Sequence, residues 1–424
     1  MPASLTPDLA DRASLATLFA PVSGEAELGL AVSGGPDSLA LMLLVHRWVS
    51  SVENPPRIVV YSLDHGFRPE AAAEVAMVGA EAERLGFAFR GLKWSEGHPE
   101  TGLQEAARQA RYRLIGAAMA ADGVKTVLTA HHRADQAETI LMRLAHGSGL
   151  DGLKGMVPLS VVEGVRVFRP LLDVEPVALG AIVEEAGLRP AQDPSNHDEA
   201  YERVRWRRLL PALAQEGLDG AALSRFAARM AEADQALAQL ADAAFAELVD
   251  VDGFGAASLP LAALGQLGPA TGRRVLSRIL AVVGGRQKPR ALGQVERLFE
   301  QITSDTLPRG ATLLGTVIRI KDGFVTIARE PGRALPEDQT LPPAGVLVWD
   351  ERFEITNVSG EIGFVASATD FFPRHRLEEV LGFKVTTPAE AIRTAPVVRD
   401  AHGAVLSLGG WSFDERVRVT VLVN

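Results

Sequence analysis

The chain has 424 residues, enough for two or three domains at roughly 150 residues each, and its balance of 47% hydrophobic to 23% charged residues is that of a packed globular protein. Its longest apolar run, Leu39 to Val45, is far shorter than the roughly 18 residues of a membrane span, and the absence of cysteine excludes disulfides, thiolate zinc sites, iron–sulfur clusters and a cysteine nucleophile. The net charge of -10 argues against a chain that is basic throughout and leaves local basic patches open.

Asp8 and Asp11 precede any apolar stretch, so the start of the chain does not read as a secretory signal, and a cytoplasmic enzyme is expected. Residues 26–200 alternate short β-rich runs with longer helical patterns, which predicts an open parallel α/β sheet. The predicted strands are 28–32, 58–63, 87–94 and 126–130; the helices are 38–49, 70–85, 103–121 and 135–145. Ligands of such sheets gather at the carboxyl ends of the strands. The texture changes after Pro211. Leu223, Phe226, Met230, Ala233, Leu237, Leu240 and Ala244 step by threes and fours, as one face of a long packing helix does. Runs 312–320 and 324–328 are β-like, 331–343 reads as a linker, and the last stretch is again β-like at 363–366 and 417–423. The expected domains are 1–211, 212–335 (mostly helical, ending in a small β-like element) and a small α+β domain over 336–424.

The first strand runs into Ser33-Gly34-Gly35-Pro36-Asp37-Ser38. Glycines let backbone approach a ligand closely, and the N–H groups at the start of the following helix form an anion site. Ser33 and Ser38 can add hydroxyl donors. Asp37 would repel a bare phosphate, so it points to a magnesium ion between carboxylate and phosphate. The loop lacks the lysine of a Walker A motif and is not G-x-G-x-x-G. S-G-G-x-D-S resembles the pyrophosphate loop of enzymes that split ATP into AMP and pyrophosphate.

Asp64 and His65 follow the second strand, where an adenosine would lie if this loop holds its phosphates. Glu105, Arg108 and Tyr112 share one helix face and fit equally a solvated face and a nucleotide clamp. After the fourth strand come His131, His132, Asp135 and Glu138, with the last two on one helix face, then Arg143. A structural zinc is disfavoured because helical zinc motifs space their histidines by four. A polar wall fits better, with histidine donors facing a phosphoryl group and carboxylates holding a cation or an amine.

In order and spacing, S-G-G-P-D-S, L-D-H-G-F-R, E-A-A-R-Q-A-R-Y, H-H-R-A-D-Q-A-E-T, R-L-A-H-G-S-G-L-D-G-L-K-G-M and R-P-L-L resemble the tRNA(Ile)-lysidine synthetases, strongly over 26–211 and more loosely beyond. The resemblance implies an adenine-nucleotide alpha-hydrolase type of sheet and a ligase using ATP and Mg2+. It would adenylate C2 of the wobble cytidine in the CAU anticodon of a minor isoleucine tRNA, and lysine would displace AMP to give lysidine. It implies ATP contacts at Ser33, Gly34, Gly35, Pro36, Asp37, Ser38, Asp64, His65, Arg108 and Arg111, with Asp37 also holding the metal. Asp37, His131, Asp135 and Glu138 would carry the chemistry. Arg143, Arg169, Asp193, Asn196, Arg203, Arg205 and Arg207 would meet the substrates, and a homodimer is left open. Two positions depart from the family pattern: Ala134 replaces the first of two aspartates, and Val204 replaces an asparagine.

Arg203, Arg205, Arg207 and Arg208 surround Trp206, and no Asp or Glu lies between Asp252 and Glu296 although Arg273, Arg274, Arg278, Arg286, Lys288 and Arg290 do. Such patches supply affinity for RNA phosphates. The alternatives are another enzyme of the pyrophosphate-loop class or an ATP-responsive RNA-binding protein without turnover.

Overall fold

Asp11 opens the first helix, α1 (Arg12–Phe19), by accepting the Ser14 N–H at 2.9 Å. The computed structural model describes residues 8–66, 68–95, 102–191, 198–285, 292–307, 310–332, 335–360, 362–369 and 372–423. The chain divides into two units, Met1–Asp234 and Gln235–Asn424.

In the first unit, β1 (Glu27–Ala31), α2 (Pro36–Val49), β2 (Arg57–Asp64), α3 (Ala71–Arg84), β3 (Ala88–Lys93), α4 (Leu103–Asp122), β4 (Thr126–Leu128) and α5 (Arg133–Ala145) alternate as predicted. A short helix α6 (Leu150–Leu153), an antiparallel hairpin of β5 (Leu159–Val162) and β6 (Val165–Phe168), and α7 (Pro176–Glu185) follow. The sheet order is β3-β2-β1-β4-β6-β5, parallel except for β5. Its central strands are apolar because helices cover both faces. α2 is buried nearly all round: Phe19 of α1 stacks on Trp48 at 4.8 Å, and Leu179 and Val183 of α7 join the same core.

α8 (Glu202–Gln215) packs on α5 through Trp206, Leu210 and Leu213, which lie against Ala137, Ile140 and Leu141. Pro211, read from the sequence as the end of the catalytic texture, lies inside this helix. The predicted long helix is α9 (Gly220–Leu248), 29 residues.

The second unit continues with β7 (Asp250–Val251), β8 (Ala257–Pro260), α10 (Leu261–Gln266), α11 (Gly268–Gly284), α12 (Leu292–Thr303), β9 (Ala311–Leu313), β10 (Thr316–Lys321) and β11 (Phe324–Arg329). These strands form one sheet, β7-β8-β11-β10-β9, against which Val275, Ile279 and Phe299 of α11 and α12 pack. Then come β12 (Gln339–Leu341), β13 (Val346–Trp349), β14 (Phe353–Asn357), β15 (Phe364–Ala368), α13 (Arg374–Leu381), α14 (Ala389–Thr394), β16 (Pro396–Arg399), β17 (Val405–Leu408), β18 (Trp411–Ser412) and β19 (Val417–Val421). They make the sheets β12-β15-β16-β17-β18 and β13-β14-β19 around Trp349, Phe353 and Leu408. The stretch expected to be a linker therefore holds a strand, β12. No described helix is long and apolar enough to cross a membrane.

Trp48 is 2% exposed, so Trp48→Ala leaves a large cavity in the first unit. Urea denaturation followed by circular dichroism should show about 3–5 kcal/mol lost from the transition of that unit.

Candidate active site

β1 pairs with β2 on one side and with β4 on the other. The chain builds outward from β1 through β2 to β3, then returns to the opposite side of β1, which makes the gap above β1 and β4 a switch point. The loops leaving these two strands, Ser33–Ser38 and His131–Asp135, therefore open side by side.

Gly34 has φ +85°, and a Cβ there would sit 3.3 Å from the Met77 Cε, so the turn requires glycine. Gly35 caps α2 with no side-chain hydrogen bond, leaving the first N–H groups of the helix directed outward. Much of the serine chemistry is spent within the loop. The Ser38 hydroxyl donates to the Gly35 carbonyl (3.0 Å) and accepts from the Ser33 N–H (3.2 Å). The Gly34 carbonyl accepts the Ala191 N–H at 2.9 Å. Asp37 lies in the first turn, its side chain 37% exposed. Among the described residues no cluster of three or more His, Asp or Glu could hold a metal alone. Mg2+ bound by one carboxylate and substrate phosphates needs no such cluster, and Asp37 fits that role.

His132 is the N-cap of α5 and forms a reciprocal capping box with Asp135. Its Nδ1 accepts the Asp135 N–H (3.4 Å), and its Nε2 stands 3.5 Å from both Asp37 Oδ2 and Asp135 Oδ2. Burial disfavours charge on His132, but Asp37, Asp135 and Glu138 more than offset it and hold its pKa above the ordinary value. Asp135 is lowered: burial opposes its charge, and His132 and Arg203 overcome that. Glu138 is fully buried and held by two guanidiniums. Its Oε1 accepts Arg207 Nε at 2.6 Å, its Oε2 accepts Arg203 Nε at 2.7 Å, and Arg203 Nη2 reaches Asp135 Oδ1 at 3.2 Å.

Beside them is a wall of cations. Arg108 lies over the Tyr112 ring at 5.4 Å; Arg143 donates to the Gly152 and Gly155 carbonyls at 2.8 and 2.7 Å. Arg169, 5% exposed, donates to the Val157 carbonyl (3.0 Å) and the Ser160 hydroxyl (2.8 Å). Among the described residues no carboxylate pairs with any of these three arginines. Burial first, then Arg108, lowers the pKa of Arg143; burial also lowers that of Arg169, with Arg108 and Arg143 adding to it. An uncompensated cationic wall of this kind suits phosphate oxygens.

On the opposite flank Arg111 Nη2 lies 3.2 Å from His65 Nε2, and the His65 ring meets Trp94 edge-on at 6.4 Å. Asp64 accepts the Gly66 N–H at 2.7 Å. Trp94, not singled out in the sequence, thus belongs to this flank; its signal was an aromatic residue just past a strand end. Arg108 and Arg111 face different neighbours, and Glu105 accepts from Gln109. Arg205 donates to the Glu199 and Ala200 carbonyls. Asp193 and Asn196 lie outside the described residues, as do Arg286, Lys288 and Arg290. In the second unit Arg273 is held by Glu296 (3.1 Å) and Glu300 (3.2 Å), and Arg278 by Asp242 (2.5 Å), while Arg274 is half-buried. The acid-free stretch of sequence is therefore not acid-free in space.

A family model described as a PP-loop domain matches residues 7–213. The tRNA(Ile)-lysidine synthase of Bradyrhizobium diazoefficiens is 42% identical over 343 residues, covering 76% of this chain and 95% of that one. That of Rhodopseudomonas palustris is 43% identical over 332 residues, covering 74% and 94%. The chain belongs to the tRNA(Ile)-lysidine synthase family. Among solved structures, the U34-tRNA thiolase NcsA from Methanococcus maripaludis overlaps 51% of this chain and 77% of its own, at 15% identity and a TM-score of 0.44.

In this synthase the two departures from the family pattern have simple surroundings. Ala134 occupies the first turn of α5 beside the capping box, and Val204 is buried on α8, where an amide would have to find partners. His131 donates to or accepts from the Thr129 hydroxyl at 2.9 Å. Burial lowers its pKa to about 4; Asp135 opposes this, while Arg169, Arg203 and Arg108 add to it. With the folded value near 4 and the unfolded value near 6.5, the folded chain binds fewer protons between them, so this residue costs stability as pH falls through that window. NMR titration of labelled histidines should find its midpoint near 4; a midpoint near 6.5 would contradict the burial argument.

Proposed function

We propose that this synthase joins lysine to C2 of the wobble cytidine in a CAU-anticodon isoleucine tRNA. The cytidine O2 attacks the α-phosphorus of ATP and expels pyrophosphate. The lysine ε-amine then attacks C2, AMP leaves with the former O2, and the amine loses a proton. The observation that carries this reading is the meeting of the phosphate loop and the α5 carboxylates at one switch point, with His132 Nε2 3.5 Å from Asp37 and Asp135.

The N–H groups at the start of α2 suit the pyrophosphate portion of ATP, and the cationic wall suits further phosphate oxygens. Magnesium held by Asp37 would neutralise phosphate charge. His131, neutral at pH 7, can face a phosphoryl oxygen without competing for the negative charge of Asp135. Asp135 and Glu138 would hold the lysine ammonium and take its proton as the amine attacks. His65, Trp94 and Arg111 form the flank for the nucleoside. Residues 1–211 would supply this catalytic site, and 212–335 and 336–424 would grip the RNA, with Arg273 and Arg274 among the contacts. We place the reaction in the cytoplasm, where its RNA substrate would be.

Pyrophosphate release should require ATP, magnesium and the CAU-anticodon tRNA, and lysidine should form only when lysine is added. Release with a small acceptor and no RNA would assign a different reaction of the pyrophosphate-loop class; ATP binding without release would make the chain a binding protein.

Gly34→Ala would strain a left-handed position by roughly 1–2 kcal/mol. The loop would relax away from its shape, and ATP would have to restore it. The KM for ATP should rise about five- to thirtyfold while the KM for lysine stays unchanged.

A further inference from the structure

The carboxylate pair assigned to the lysine amine already holds two cations. We propose that Arg203 and Arg207 are internal stand-ins for the substrate ammonium, which occupy Asp135 and Glu138 until RNA phosphates draw them away, so that lysine binds productively only after RNA. This rests on the reading of Asp135 and Glu138 as the amine site.

Glu138 has no solvent-exposed side-chain surface. Arg207 Nε and Nη2 (2.6 and 3.4 Å) and Arg203 Nε (2.7 Å) take three of its roughly four acceptor positions. Asp135 gives Oδ1 to Arg203 Nη2 at 3.2 Å and Oδ2 to the His132 N–H at 3.0 Å. An ammonium carries three donors and needs these same oxygens. It therefore cannot reach Glu138 while both guanidiniums remain.

The arginines are well placed to leave. They are four residues apart on one face of α8, so one displacement moves both. Their side chains are 41% and 45% exposed, and neither Nη1 has a partner among the described residues. Each can meet a phosphate on its outer edge while its inner edge still holds Glu138. The rest of α8 is consistent with this: among the described residues Arg205 contacts only backbone carbonyls, and Arg208 makes an exposed pair with Glu199. Such a pair offers little resistance to a polyanion.

Charge sets the sequence of events. Two guanidiniums balance two carboxylates in the RNA-free chain. Moving the guanidiniums to phosphates leaves buried negative charge, which is costly until a cation replaces it. The incoming ammonium restores one of the two positive charges withdrawn. Linkage then makes RNA and lysine tighten each other by the same factor.

The test is lysine affinity of the full chain by equilibrium dialysis, with and without a CAU-anticodon tRNA(Ile) transcript, in the presence of a non-hydrolysable ATP analogue. RNA should tighten lysine binding at least tenfold. Arg207→Met keeps the stem and removes the charge; it should bind lysine at least tenfold more tightly without RNA and lose most of the RNA effect. Arg207→Lys restores a cation and should restore RNA dependence. Arg203→Met should behave as Arg207→Met does. Equal lysine affinity with and without RNA in the unaltered chain would overturn the proposal by itself, even if the variants fail to fold. So would Arg207→Met binding lysine no better, or worse, without RNA. Glu138→Gln separates the two levels. If it leaves lysine affinity in the RNA complex intact, the amine-site reading fails. If it weakens that affinity while Arg207→Met gains nothing without RNA, only the stand-in proposal fails.

Discussion

The site depends on a pairing of two strands. β4 binds directly to β1 although two strands and three helices separate them in the chain, with Leu28, Gly29 and Leu30 in register with Thr126, Val127 and Leu128. This parallel register puts the starts of α2 and α5 at one edge of the sheet. Helix starts carry unpaired N–H groups and partial positive charge, so two of them together make a region where polyanions are stabilised. The carboxylates of Asp37 and Asp135 are tolerated there for the same reason, because each lies in the first turn of a helix. A phosphate placed there and the protein carboxylates would share one electrostatic environment without either being buried unpaired.

Around this pairing the site sorts into regions of opposite charge. One flank is lined by Arg108, Arg143 and Arg169; a few residues away, Asp135 and Glu138 are sunk beside α8. A reaction that handles a triphosphate and an ammonium together needs both regions, separated. His131 and His132 lie at the boundary and respond oppositely: burial and arginines depress the first, while carboxylates raise the second. Adjacent residues of the same type are thereby set to different protonation equilibria by environment alone.

The sheet was legible where period and length were strong. The first four strands and the helices between them lie within a few residues of their predicted places, because buried parallel strands are short apolar runs and their helices are long. The β5–β6 hairpin was not read, since its turn is Glu163-Gly164, with φ of 48° and 79°, rather than the familiar Asn-Gly. Pro211 marked a change of texture in the sequence, and it lies inside α8, where packing against α5 carries the helix past the proline. That the polar loops follow the strands was legible, because ligands of such sheets gather at the carboxyl ends of the strands. Ion pairing was not. Glu138 and Arg207 are 69 positions apart, and Arg273 finds its acids 23 and 27 positions downstream. Local sequence signals nothing of such partnerships; they exist only once the helices are packed.

Pro211 has a mechanical consequence. Proline has no N–H, so the backbone carbonyl four residues earlier, that of Arg207, receives no helical hydrogen bond from it, and the ring crowds that same carbonyl. The α8 backbone is therefore softest beside the residue that grips Glu138 most closely. Bending the helix there breaks one backbone bond fewer than bending it elsewhere. The first two turns, which carry Arg203 and Arg207 together with Trp206 packed on α5, lie on the N-terminal side of this compliant point, and the apolar turn with Leu210 and Leu213 lies beyond it.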